Sequence, residues 1–504
     1  MNNPIATLQR TAAEYRQMDK KDKRRYVTDQ ILNNALYILM IIFVIYTAIQ
    51  RPNFMTLGSF ANLITQVAAY LPMALGIAGC IVLTGTDLSA GRISGLTAAI
   101  AGVFLQKSDF ANKMFQNLPQ VTFGWILVTL LAVMAVGALI GLINGFFVAK
   151  FSLHPFIVTL STQLITYGII LWFFALNGNN GQPISGLSDE YKMFVNGEMF
   201  RLGNVAVPRY VAYAVVLIAL MWFIWNKTTF GKNMFAVGSN AEAAKVSGVN
   251  VFWTTVLVHT LAGAMYGYTG FIEGARSGSV AAGTGLNSEC DAIAACVIGG
   301  VSFVGGTGKI SGIILWFFAL NGNNGQPISG LSDEYKSFVG GAMFRLGGVA
   351  VPRYVLYAII LTALMWFIWN KTTFGKNMFA VGSNAEAAKV SGVNVFLTTM
   401  LVHTLAGAMY GYAGFIEGVR AGSVAASTGL NAECDAIAAC VIGGVSFVGG
   451  TGKIGGIILG VFVLRIIFVA LTMLGVDSSS LYIIKGAIIL CACALDMRKY
   501  LVKK

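Results

Sequence analysis

Apolar runs of about twenty residues, separated by short polar joints, repeat along almost the whole chain. A helix crossing the hydrocarbon core of a bilayer needs about 20 apolar residues. Such runs fall at 31–49, 62–85, 88–106, 123–149, 156–176, 207–226, 252–274 and 288–304. They continue at 351–370, 396–418, 432–448, 456–475 and 480–496. The pattern predicts an all-α, polytopic integral membrane protein. On one of the runs Gly137, Gly141 and Gly145 recur every four residues. That spacing allows close backbone approach between helices in lipid, and tight packing within the chain is the preferred reading over a dimer seam.

The same runs occur twice. "GIILWFFALNGNNGQPISGLSDEYK" begins at Gly168 and again at Gly312, an offset of 312 − 168 = 144 residues. Over Gly168–Ser311 against Gly312–Gly455 about sixteen positions differ, Val215 against Ile359 and Thr269 against Ala413 among them. "GIIL" opens a third time at Gly456 and then diverges. This is a tandem duplication, with a period far beyond the 20–50 residues of solenoid repeats. Removing one copy leaves 504 − 144 = 360 residues. The expected organisation is a cytoplasmic segment 1–30, a transmembrane region 31–311 that includes the first copy at 168–311, a second copy at 312–455, and closing spans with a cytoplasmic tail at 456–504.

The junction between copies, 298–320, is the difficult stretch. Its apolar part, Ile310–Leu320, is eleven residues, about 16 Å of helix against a core of roughly 30 Å. If it crosses, each copy holds four spans and both face the same way. Charge favours that arrangement. Lys20, Lys21, Lys23, Arg24 and Arg25 precede the first run, and Arg498, Lys499, Lys503 and Lys504 follow the last. Basic residues mark cytoplasmic flanks, so both termini, with the loops carrying Lys227, Lys232 and Lys245 and their copies Lys371, Lys376 and Lys389, are expected inside. About fourteen spans result, against ten for the 360-residue version. The first thirty residues have no apolar h-region of a signal peptide.

Composition sharpens the class. The chain is 56% hydrophobic and 11% charged, where soluble domains carry about 25% charged residues. The net charge of +13 sits at membrane flanks, which argues against nucleic acid as a partner. Seven cysteines lie in apolar runs without a CxxC pair, so buried packing is expected rather than metal or disulfides.

Few residues carry candidate chemistry. "GTDLSAGR" sets Asp87, Ser89 and Arg92 between two runs; charges near the membrane default to a functional hypothesis, with Asp87 as a helix cap the preferred structural account. Glu273 with Arg276, and Glu417 with Arg420, are three apart and expected to pair. His259 and His403 are expected packed and hydrogen-bonded. "GGVSFVGGTGK" misses the GxxxxGK[ST] phosphate-loop spacing, and no nucleophile–base–orienter set exists; the chain is expected to be neither an ATPase nor an enzyme, with no cofactor. "NKTTFGKNMFAVGSNAEAAKVSGVNV", Asn226–Val251, repeated at Asn370–Val395, is the most informative polar stretch. Ser239-Asn240 before "AEAAKVSG" predicts an N-capped short helix stopped at Gly248, suited to a groove on a partner.

Those words carry a resemblance. "FGKNMFAVGSNAEAAKVSGVNV" resembles the coupling region of permease subunits of bacterial ABC importers for monosaccharides. "GTDLSAGR", "GLINGFFVAKFSLHPFIVTLSTQLITYGI", "ECDAIAACVIGGVSFVGG" and "YIIKGAIILCACALD" resemble the family's other signatures in the same order, and "GQPISGLSDEY" is most similar to its galactose/methyl-galactoside branch. The resemblance implies a helical homodimer in the bacterial inner membrane. It implies an ATP-hydrolysing partner with two nucleotide-binding cassettes, and an extracytoplasmic binding protein delivering galactose or glucose. The coupling motif falls on Glu242, Ala243, Ala244 and Gly248, and again on Glu386, Ala387, Ala388 and Gly392. "HPF" and Ser161 are small departures from the family pattern. The duplication is the large one, since a dimer would offer four coupling helices to two grooves. By sequence the copies are equivalent, so losing Glu242 alone is expected to impair uptake less than losing Glu242 and Glu386 together. The alternatives are a parallel-repeat secondary transporter, a membrane enzyme, which the missing catalytic set disfavours, and a duplicated allele that transports nothing.

Overall fold

The structure is a computed structural model. It describes residues 56–202, 205–298, 333–346, 349–421, 431–446 and 449–501, with isolated positions elsewhere. The expected span at 31–49, the apolar stretch 310–320 and most of the glycine-rich stretch 299–309 lie outside the described residues.

Among the described residues the fold is helical apart from two small hairpins and two isolated bridges. Helix α1 covers Leu57–Val82, α2 Ala90–Phe104, α3 Phe123–Phe151 and α4 Pro155–Ala175. The first copy continues with α5 (Asp189–Asn196), the hairpin β1–β2 (Glu198–Leu202, Val205–Pro208), α6 (Tyr210–Lys227), α7 (Thr229–Ser239), α8 (Ala241–Val246), α9 (Val251–Ser277) and α10 (Ser288–Ile298). The second repeats it: α11 (Asp333–Gly340), β3–β4 (Ala342–Leu346, Val349–Pro352), α12 (Arg353–Lys371), α13 (Thr373–Ser383), α14 (Ala385–Val390), α15 (Val395–Ala421) and α16 (Ala432–Ile442). Helices α17 (Ile454–Met473) and α18 (Ser478–Leu501) close the chain. The hairpins, α5 with its copy, and α7 with its copy are additions to the sequence reading.

Six helices among the described residues are long and apolar enough to cross a membrane: α1, α3, α4 (extended to Gly178), α6, α12 and α17. Helices α9 and α15 have 27 residues each, about 40 Å at 1.5 Å per residue, but glycine and polar residues dilute their apolarity. The expected spans 288–304 and 432–448 are shorter than the sequence suggested. Helix α16 ends after 11 residues at Ile442, roughly half the core thickness; α10 is described over the corresponding 11 residues to Ile298, and Val301 is already outside a helix. The reason is visible in the second copy. Gly444 turns the chain at φ +79°, and a Cβ on Gly443 would lie 2.5 Å from the Gly456 carbonyl oxygen, so the chain folds straight back into α17.

The core forms where glycines let backbones touch. A Cβ on Gly137 would meet the Gly263 carbonyl oxygen at 2.1 Å, one on Gly141 the His259 oxygen at 2.1 Å, and one on Gly145 the Val256 Cα at 2.7 Å. The four-residue glycine spacing is therefore an intramolecular seam between α3 and α9, as expected. Helix α9 also packs on α1 and α2, and a second core joins α4, α16, α17 and α18.

Helix α15 repeats the sequence of α9 and has none of these contacts. Cβ atoms on Gly407, Gly411 and Gly414 would meet nothing within 4 Å, and only Thr398 and Gly418 of that helix are buried. Helix α6 buries six residues, its copy α12 none. One groove exists for two near-identical helices, and the first copy holds it. The differences between copies favour this outcome. Buried Val256, at the seam, and buried Ala275 correspond to the bulkier Met400 and Val419, which would overpack those sites.

The start of α18 gives a pH expectation. Asp477 Oδ1 accepts from the Ser480 amide at 3.0 Å and Oδ2 from its hydroxyl at 2.8 Å. Those bonds, the backbone one first, hold its pKa down at about 2. The folded value is below the unfolded one, so the stabilisation is complete above about pH 4 and is lost as pH falls through 2. Hydrogen exchange of the first turn of α18 should accelerate over that window, and Asp477→Asn should remove the acid dependence.

Candidate coupling segments and a buried polar network

The predicted short helix forms in both copies. In α8 the Ala243 amide donates to Asn240 Oδ1 at 2.9 Å, and in α14 the Ala387 amide donates to Asn384 Oδ1 at 2.9 Å. Gly248 and Gly392 end the helices at φ +84°, a conformation glycine adopts without strain. Ala244 and Ala388 face inward at 4% exposure, while Glu242, Ala243, Glu386 and Ala387 face out. Beside the motif residues stand two that sequence reasoning passed over: Val246 and Val390, each 89% exposed. An apolar side chain at the tip of a rigid polar helix is the signal, readable in "AEAAKV" once the buried face is known.

The two segments differ in their mounting. In the first copy a Cβ on Gly238 would lie 1.9 Å from the Val82 carbonyl oxygen, so the end of α7 rests on the end of α1, and the Gly306 amide donates to the same oxygen at 2.9 Å. Phe252, at the start of α9, stacks edge-on against Phe146 of α3 at 6.3 Å. In the second copy Gly382 meets only the Gly449–Gly450 backbone, and Phe396 is 79% exposed.

Asp87, Ser89 and Arg92 come together, buried to 0%, 0% and 2% exposure. Asp87 does not cap α2 in the expected way; its Oδ1 folds onto Ser89, accepting from the amide at 2.9 Å and the hydroxyl at 2.6 Å. Its Oδ2 accepts from Tyr266 of α9 at 3.2 Å. Asn144 donates to Ser89 Oγ at 3.0 Å, and Thr162 to Asn144 Oδ1 at 2.6 Å. The network thus ties α2, α3, α4 and α9 together, satisfying polar groups that lipid and core could not.

Arg92 leads elsewhere. Its guanidinium lies 4.0 Å from the Tyr167 ring centroid, Tyr167 packs edge-on to Tyr482 at 4.8 Å, and Lys485 Nζ stands 5.2 Å from the Tyr482 ring and 5.0 Å from Phe468. The same Nζ pairs with Asp435 Oδ1 at 2.5 Å. Two cations and two tyrosines therefore form one ladder across α2, α4, α18 and α16. A lysine inside "YIIKGAIIL" was its sequence signal. Asp291, the copy of Asp435, is exposed and has no ion pair among the described residues.

The remaining expectations divide by copy. Glu273 pairs with Arg276 at 2.7 Å and Glu417 with Arg420 at 2.7 Å. His259 is buried with Nδ1 3.0 Å from the Thr255 oxygen, but His403 is exposed, because its helix lacks the groove. Cys80, Cys296 and Cys434 are buried packing residues, whereas Cys290 and Cys491 are exposed. Among the described residues no cluster suited to a metal occurs.

Six helices long and apolar enough to cross a membrane, among the described residues, joined in part by short polar helices, make this a polytopic membrane protein. The family model described as "Branched-chain amino acid transport system / permease component" matches residues 59–346 and 307–493, and the chain belongs to that family. It is similar to the galactose/methyl galactoside import permease protein MglC of Haemophilus influenzae, 43% identical over 286 residues, 57% of this chain and 83% of that one. MglC of Escherichia coli K12 is 37% identical over 350 residues, 69% of this chain and 99% of that one. The ribose import permease protein RbsC of Escherichia coli K12 is 31% identical over 319 residues, 63% of this chain and 92% of that one. The two overlapping family matches, and a relative covered almost whole by 350 residues, fit a permease carrying one extra copy. No solved structure matches the chain.

Proposed function

We propose that the chain is the membrane subunit of an ATP-driven importer that passes a monosaccharide, galactose or a methyl galactoside before glucose, into the cell. It works as a homodimer in the bacterial inner membrane with both termini in the cytoplasm. An ATPase with two cassettes binds from inside and a sugar-binding protein delivers from outside. The observation that carries the reading is the rigid α8, which presents Glu242, Ala243 and Val246 outward while α7 and α9 tie it to the bundle. A partner gripping α8 moves α9, and through Tyr266 and the α3 seam it moves the helices around Asp87 and Arg92. These buried groups act as structural links in the pathway wall.

Uptake of labelled galactose tests the reading, in cells that lack their own permease but keep its ATPase and binding protein. The chain lacking Gly312–Gly455 should restore uptake at matched membrane levels. Absence of uptake by that 360-residue chain would sink the assignment.

A further inference from the structure

The two coupling segments are alike in the short helix itself and unlike in what the helix behind it packs against. Caps of 2.9 Å, terminal glycines at φ +84°, inward alanines at 4% and outward valines at 89% recur in both copies. Behind them, α9 is wedged among α1, α2 and α3, whereas the glycine face of α15 is open. Tyr266 is fully buried on Asp87, while its copy Tyr410 is 74% exposed.

From this we infer that α14 is a decoy docking site: it takes the same ATPase groove as α8 but drives nothing. The inference rests on the ATPase-coupled reading above and goes beyond it by assigning opposite roles to identical helices. The physical reason is that docking strength follows the contact surface, whereas work follows the mounting. A partner that binds two forms equally shifts nothing between them, so each groove divides between α8 and α14. With two grooves that must both hold α8, productive assemblies fall to about one quarter, and removing the decoy raises uptake by up to about fourfold. The inference departs from the sequence-based expectation that the copies back each other up.

The test uses the full chain in the cells described above, with exposed positions changed so that folding is preserved. One variant carries Glu386→Lys and Val390→Asp, a second Glu242→Lys and Val246→Asp, a third all four. Galactose uptake and co-purification of the ATPase are read at matched membrane levels, beside the 360-residue chain. The α14 variant should exceed the unmodified chain by about two- to fourfold. The α8 variant should lose uptake yet still retain the ATPase, and the fourfold variant should lose both. Uptake by the α8 variant at half the unmodified level or more would overturn the inference, as would an unchanged or lower uptake by the α14 variant. Failure of the 360-residue chain to transport or to hold the ATPase removes the importer reading itself, and the decoy with it. Loss of the ATPase from the α8 variant alone overturns only the decoy.

Discussion

Gly263→Leu should prevent the bundle from assembling, and Gly407→Leu, the same change in the same local sequence, should pass almost unnoticed. A Cβ on Gly263 would stand 2.1 Å from the Gly137 carbonyl oxygen and 3.1 Å from the Gly141 Cα. Both obstacles are backbone, so no rotamer change relieves them. Overpacking a fitted core costs about 1–3 kcal/mol, and a leucine driven against two backbones belongs at or above the upper end. At Gly407 nothing lies within 4 Å, and a surface change of that kind stays within about 0.5 kcal/mol. Thermal unfolding in detergent and the amount of protein reaching the membrane measure both. Equal sensitivity at the two positions would mean that α9 and α15 exchange in the groove.

The second large effect concerns another pair of near-identical helices, with the preference reversed. Asp435→Asn in α16 should destabilise the packing of α18, whereas Asp291→Asn in α10 should not. Lys485 keeps only 13% of its side chain exposed and Asp435 30%, so the pair is shielded from water though not sealed. Removing the carboxylate leaves a lysine among Tyr482 and Phe468. Losing a hydrogen bond or contact to a charged group costs about 1.5–3 kcal/mol, and partial exposure puts this one near the lower end. Asp435→Glu should restore most of it, as should the exchange Asp435→Lys with Lys485→Asp. Cysteines at 435 and 485 should be joined readily by a bifunctional thiol reagent about 10 Å long, longer than a disulfide can span, and cysteines at 291 and 485 poorly; the opposite ranking would place α10 in the seat.

Together these contrasts describe a body built from both copies. The first supplies α9 and the second supplies α16, with α12 to α15 carried between them. Much of this was legible beforehand. Apolar runs placed α1, α3, α4, α6, α12 and α17 to within a few residues, and "SNAEAAKVSG" placed α8 and α14. The half-length of α10 and α16 was not legible, because Val301 and the residues after it continue the apolar pattern while Gly443 and Gly444 turn the backbone. Nor was the ladder from Arg92 to Asp435, whose members lie up to 485 − 92 = 393 positions apart and meet only through packing of α4 on α18.

The sequence by itself determined that this is a helical membrane protein with a short N-capped polar helix present twice, since hydrophobic length, basic flanks and capping residues act locally. It also held the small differences, Val256 against Met400 and Ala275 against Val419, that make one copy the better fit. Which copy is seated was decided only in three dimensions. The α3 seam is one backbone wide, and once α9 fills it the groove is no longer there for α15.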